Sequence, residues 1–89
     1  MAKFVVMGHY CEDVLQRREP YRQAHLDGLA RQKAQGVLIT IGPTQDLRRF
    51  FGIYEAESAE QVRALIEQDP YWQNGIWTDY EVIPWIQAI

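Results

Sequence analysis

The sequence predicts an α+β domain with elements in the order β-α-β-β-α-β. Three observations carry this. Four short segments rich in β-branched and aromatic residues are bounded by Gly, Pro, Asn and Asp. Two of the intervals between them hold residues at the i, i+3, i+4, i+7 spacing of a helical face. The chain has 89 residues, near the lower end of what supports its own core, so a single domain over 1–89 is expected.

The first strand is Lys3 to His9, KFVVMGH. Phe4 and Val6 face one way and Val5 and Met7 the other; both faces are apolar, so both should be covered. Tyr10 to Glu19 is a polar crossover, with Asp13 as a cap and Val14 and Leu15 anchoring a helical turn. The first helix begins at Tyr21, because Pro20 suits a first turn where its missing N–H costs nothing. Leu26, Leu29, Ala30 and Lys33 define its inward face, and His25 lies about 40° from Leu29 on the flank. Gly36 ends the helix as a left-handed cap. Val37 to Ile41 is the second strand, and Gly42 to Asp46 a loop.

Arg49 to Glu55, RFFGIYE, is the third strand, in which Gly52 marks a bulge or a close approach of backbone. Ser58 opens the second helix with Gln61 in capping-box spacing. Val62, Leu65, Ile66 and Asp69 share its inner face, and Pro70 stops it at Asp69. Pro70 to Gly75 reads as a turn. In the last strand, Ile76 to Ile83, strict alternation puts Ile76, Thr78, Tyr80 and Val82 on one face and Trp77, Asp79, Glu81 and Ile83 on the other. Pro84 ends it, leaving Trp85-Ile86 as an apolar tail.

The economical packing of these elements is the ferredoxin-like split βαβ, an antiparallel four-stranded sheet with both helices on one face. The other sheet face is then bare and apolar, which predicts a homodimer, or a higher oligomer, built as a dimeric α+β barrel. Composition agrees: 47% of residues are hydrophobic, with three Trp, five Tyr and three Phe, a large apolar load for so short a chain. The net charge is −3 and no basic stripe appears, which argues against nucleic acid as a partner. The lone Cys11 forms no internal disulfide and fits a reducing cytoplasm. The N-terminal MAKFVVMGHY is too short in its apolar part for a signal peptide, and no apolar run approaches a membrane span.

In this topology the first helix starts, and the second ends, at one edge of the sheet. That rim collects His25, Asp69, His9, Tyr10, Gly42, Pro43 and Trp77, with Arg22 and Arg48 as cations able to hold an anion. A histidine backed by a carboxylate suits general acid–base chemistry. The same residues also have plain structural roles: His25 as a half-buried helix residue bonded to a carbonyl, Asp69 as a helix-end residue bonding the next turn. As a rim residue, His25 is expected to add little to stability. His9, Cys11, His25 and Asp69 show no C-x-x-C or H-x-x-x-H spacing, so no metal is expected. Cys11 reads as a spectator thiol.

With those residues in view, the chain resembles the YciI-like (YCII-related) family. The likeness rests on Arg22-x-x-His25-Leu26-x-x-Leu29, on Gly36 followed by a strand ending Gly42-Pro43, on Ser58-x-Glu60, on Asp69-Pro70-Tyr71, and on a final strand running into Pro84-Trp85. It covers nearly the whole chain and is loosest over Tyr10 to Glu19. The resemblance implies the dimeric α+β barrel and an active site with a His–Asp pair, which maps onto His25 and Asp69. The family is similar to muconolactone isomerase and includes a dehydrochlorinase acting on a chlorinated hydroxyhydroquinone. The expectation is therefore a cofactor-independent lyase or isomerase for a small anion. His25 would shuttle the proton, Asp69 orient it and Arg22 bind the anion, with His9, Tyr10, Gly42, Pro43 and Trp77 lining the site. The alternative is a non-catalytic ligand-binding or accessory dimerisation module.

Overall fold

The computed structural model describes residues 1–89. The elements are β1 (Ala2–Tyr10), α1 (Val14–Arg17), a 3-10 turn (Glu19–Tyr21), α2 (Arg22–Ala34), β2 (Leu38–Pro43), β3 (Arg49–Ala56), α3 (Ala59–Glu67), α4 (Pro70–Gln73) and β4 (Trp77–Trp85). The strands form one sheet in the order β2-β3-β1-β4, every neighbouring pair antiparallel. The helices lie on one face, as the sequence predicts. There Phe4, Val6, Leu38, Phe50 and Tyr54 of the strands pack with Val62 and Ile66 of α3 in one buried cluster. No helix is long and apolar enough to cross a membrane.

Several local features differ from the sequence reading. Pro84 does not end β4: it pairs with Phe4, and Trp85 pairs with Lys3. β4 is an edge strand, where a residue without an N–H breaks no ladder. Strict alternation also fails in β4. His9 pairs with Asp79 but Tyr10 with Trp77, so Thr78 is an extra, unpaired residue. This bulge turns Trp77 onto the helix face, where it is buried, while Asp79 and Glu81 stay on the open face. Asp13 stands at the N-cap of α1 in the left-handed region (φ 56°), but its side chain makes no capping bond. Ser58 Oγ accepts from Gln61 N–H at 3.2 Å, whereas Gln61 Oε1 reaches back to Glu57 N–H, so the box closes one residue early. Gly36 (φ +81°) ends α2 in a Schellman cap, with Val37 N–H donating to Gln32 and Gly36 N–H to Lys33.

Only one face of the sheet is covered. Met7, Phe51, Ile83 and Trp85 project from the other and are each more than a third exposed. Val5, between Ile53 and Ile83, is shielded there by its cross-strand neighbours.

Candidate functional site

The inward face of α2 is not the stripe of Leu26, Ala30 and Lys33, all of which are exposed. It runs through Tyr21, His25, Gly28, Leu29 and Gln32, and His25 is the helix's one buried residue. A polar side chain takes the centre of the helix because a partner waits for it. Asp69 is not the last residue of α3, which stops at Glu67. It caps the next helix: the segment read as a turn, Pro70 to Gly75, opens as α4, with Pro70 at its first position. The backbone of Asp69 is extended (φ −71°, ψ 136°), and its Oδ1 accepts Tyr71 N–H at 2.8 Å.

The same carboxylate receives the imidazole. His25 Nδ1 lies 2.8 Å from Asp69 Oδ1 and 2.9 Å from Oδ2. The residues are 6% and 5% exposed, so the pair is shielded from water. A carboxylate only accepts, so Nδ1 carries a proton; in the neutral imidazole Nε2 is then left with a lone pair. Nε2 has no partner within the chain, yet it is not among the fully enclosed unpaired atoms. The plain structural role of Asp69 is thus also present: it caps α4 and orients the ring at once.

Aromatic rings fix the imidazole in place. Tyr71 stacks on it at 3.6 Å with a 7° interplanar angle. Trp77 meets it edge-on at 5.2 Å. Behind Trp77, Phe50 stacks at 4.3 Å, and Tyr10 touches Phe50 edge-on at 5.8 Å. Burial raises the Tyr10 hydroxyl pKa; the nearby Trp77 N–H and Arg18 charge oppose the shift and Asp69 adds to it. Tyr71 is likewise raised by burial, against the charges of Arg18 and Arg22. Tyr54, beneath the pair, is raised by burial and by the Asp69 charge.

The residues expected at the rim divide into two groups. Tyr10 and Trp77 join the rings around His25, and Arg22, the first residue of α2, is exposed but close enough to act on Tyr71. His9 does not join them. Its side chain is on the open sheet face, paired with Asp79 at 2.9 Å and largely exposed, because it follows Val5 and Met7 in the two-residue period of β1. Gly42 and Pro43 belong to β2, at the far edge of the sheet from β4; they pair with Phe51 and Phe50 and make no side-chain bond to the pair. Arg48 is in the β2–β3 loop, and its carbonyl accepts Tyr10 N–H at 2.8 Å. Cys11 N–H donates to Ile76, tying the crossover to the start of β4. No three His, Cys, Asp or Glu side chains converge as metal ligands would.

Three surface clefts stand out, and one of them reaches the pair. One of about 660 Å³ lies between the crossover and the β2–β3 loop and includes Tyr10. One of about 490 Å³, on the open face, includes His9, Arg49 and Asp79. One of about 380 Å³, between α2 and α3, reaches Asp69 from behind. None includes His25. Sequence reasoning missed Tyr71, Phe50 and Arg18 as neighbours of the site; only Tyr71 had a signal, its place beside Asp69-Pro70.

The sequence profile of the YCII-related domain matches residues 2–86. The chain belongs to the YCII-related family. Among solved structures it is similar to 5-chloro-2-hydroxyhydroquinone dehydrochlorinase (TftG) from Burkholderia phenoliruptrix AC1100, in complex with 2,5-dihydroxybenzoquinone. That match has a TM-score of 0.82 and 28% identity, over 97% of this chain and 95% of that one. Protein Atu4242 from Agrobacterium tumefaciens shares the fold at TM-score 0.61 and 13% identity, over 99% of this chain and 94% of the other. An uncharacterized NIPSNAP domain protein from Burkholderia xenovorans does so at 0.56 and 15%, over 99% and 95%. A search of curated proteins gives no match.

Proposed function

We propose that this chain is a cofactor-independent lyase or isomerase that moves a proton on a small, anionic, hydroxylated ring compound. The observation that carries the reading is the buried His25–Asp69 pair, with Nδ1 held by both carboxylate oxygens and Nε2 unpartnered. Asp69 fixes the tautomer, so Nε2 is the atom that takes a proton from substrate and returns it. Arg22 draws the anion to the site. The likeness to a dehydrochlorinase bound to a dihydroxybenzoquinone supports a ring substrate and an elimination. Two copies pack through the open sheet faces, covering Met7, Phe51, Ile83 and Trp85.

The second reading, a ligand-binding or accessory module, draws on one observation: none of the three clefts reaches His25. In the enzymatic reading substrate reaches the pair from the cleft of about 660 Å³, past Tyr10, which lines that cleft and packs against Phe50. The test is chloride release from 5-chloro-2-hydroxyhydroquinone by the purified chain after treatment with a chelator. Release well above the uncatalysed rate supports the lyase; binding of the compound without release supports the module.

A further inference from the structure

A second histidine–carboxylate pair stands apart from the first, on the open sheet face. His9 and Asp79 are cross-strand neighbours on β1 and β4, next to the bulge at Thr78. Asp79 Oδ1 accepts the His9 backbone N–H at 3.2 Å and lies 2.9 Å from His9 Nδ1. The His9 carbonyl accepts Thr78 Oγ1 at 3.3 Å. Backbone and ring are thus held on one carboxylate oxygen, and the imidazole is oriented before any ligand arrives. A carboxylate only accepts, so Nδ1 carries a proton, and in the neutral ring Nε2 keeps a lone pair. Nε2 makes no hydrogen bond within the chain.

The sheet register sets what surrounds this pair. Arg49 of β3 is the neighbour of His9 on its other side, so Arg49, His9 and Asp79 form one row across three strands. Two residues along, on the same face, the next row is Phe51, Met7 and Glu81. Phe51 and Met7 are 43% and 38% exposed. Both rows line the cleft of about 490 Å³. The β2–β3 loop walls one side with Asp46, whose carboxylate is already taken by Thr44 Oγ1 at 2.6 Å and Arg48 N–H at 3.0 Å. The Arg49 guanidinium and the Glu81 carboxylate belong to no ion pair, whereas Lys3, at the other end of β1, binds Glu55 at 3.1 Å.

We propose that this cleft binds an α-amino acid with an apolar side chain: its carboxylate on Arg49, its ammonium on His9 Nε2 and Glu81, its side chain on Phe51 and Met7. The chemistry matches group by group. A guanidinium without a partner takes a carboxylate through two parallel hydrogen bonds. A ring nitrogen with a lone pair and an unpaired carboxylate both accept, and an ammonium has three N–H groups to give. The charged groups of an α-amino acid are one carbon apart, and Arg49 and His9 are on adjacent strands, about 4.8 Å apart. A simple anion would meet Asp46, Asp79 and Glu81 as well as Arg49, and a simple cation would meet Arg49; the zwitterion meets each charge with its opposite. The site shares no residue with the His25–Asp69 pair and does not depend on proton transfer there. In the dimer proposed above, Phe51 and Met7 face the second copy, and the cleft is entered from the strand ends, where Arg49 opens β3.

The test is titration of the full chain with L-phenylalanine, followed by calorimetry and by the ring-proton resonances of the two histidines, that of His9 assigned by its absence from His9→Gln. A Kd of about 1 mM or tighter is expected for so small a ligand, with a shift of the His9 resonance. N-acetyl-L-phenylalanine lacks the ammonium, L-phenylalaninamide the carboxylate and glycine the apolar body; each should bind roughly threefold to tenfold more weakly. Arg49→Gln should weaken L-phenylalanine by a similar factor and should not weaken L-phenylalaninamide. Glu81→Gln should weaken L-phenylalanine and should not weaken the N-acetyl derivative. Both positions are exposed, so the variants should fold, and the ligand series on the wild type needs no variant. His25→Asn should bind L-phenylalanine as the wild type does, whatever its turnover, so this site and the proton-transfer reading fail separately. An unmoved His9 resonance at about 10 mM, a capped derivative binding more tightly than the free amino acid, or binding lost in His25→Asn but kept in Arg49→Gln would each overturn the proposal.

Discussion

His25→Ala should destabilise the protein severely, contrary to what a rim position suggests. The side chain is 8% exposed, and the Asp69 side chain that it faces is 3% exposed. Removing the imidazole leaves the buried carboxylate with Tyr71 N–H as its one remaining hydrogen-bond donor. Losing a buried hydrogen bond to a charged group costs about 1.5–3 kcal/mol, because the carboxylate keeps its charge with one donor fewer. The lost stack on Tyr71 is worth about 0.5–1.5 kcal/mol more, not fully additive. A domain of 89 residues has roughly 4–13 kcal/mol in all. Urea titration should therefore show a large fall in midpoint at unchanged slope. The double variant His25→Ala/Asp69→Asn should be more stable than His25→Ala alone, since Asn still accepts Tyr71 N–H and leaves no buried charge. A loss below about 1 kcal/mol for His25→Ala, or strict additivity in the double variant, would refute the reasoning.

Three further outcomes are expected. Gly8→Ala should cost about 3 kcal/mol or more and alter the near-ultraviolet dichroism of Trp77. Its Cβ would collide with the Asp79 carbonyl oxygen and meet Phe50 Cε1 at 2.5 Å, and the first is backbone that cannot rotate away. Phe51→Glu, on the open face at 43% exposure, should convert a dimer to monomer in sedimentation velocity, since a stable interface buries on the order of 1,600 Å² and tolerates no unpaired charge at its centre; a wild type that sediments as monomer contradicts this. Alkali should unfold the protein early. Tyr10, Tyr54 and Tyr71 are raised above the usual phenol value by burial, and Tyr80 is pushed up to about 12 by burial and its hydrogen bond to Glu67. The folded state therefore binds more protons than the unfolded one above about pH 10, and stability complete below that pH falls as pH rises towards the folded values. Urea midpoints that hold steady from about pH 9 to about pH 11 would contradict it.

The strands, two long helices and topology were legible because their signals are local: β-branched runs, Ser58, Gly36 and the lengths between them. The meeting of His25 with Asp69 followed from topology and, more specifically, from the family resemblance. What failed was whatever depends on a partner remote in sequence. Hydrophobic spacing placed α2 on the Leu26 stripe, because a helix whose inner face is His25 and Gln32 carries no apolar signature; the buried carboxylate that reverses the choice is 44 residues away. The bulge at Thr78, which brings Trp77 to the site, breaks an alternation that looked regular along the strand. Pro84 reads as a stop unless β4 is known to be an edge. Arg18 sits in the segment where the family likeness is loosest, and its place depends on how the crossover folds back.

The central claim is that His25 Nε2 moves the proton, and His25→Asn tests it most directly. An asparagine amide can occupy the Nδ1 position and donate to Asp69, while nothing remains at Nε2. The variant should fold close to wild type and lose roughly a hundredfold to ten-thousandfold in kcat for chloride release from 5-chloro-2-hydroxyhydroquinone, the usual contribution of a positioned acid–base group. A folded His25→Asn protein that turns over at the wild-type rate would contradict the account.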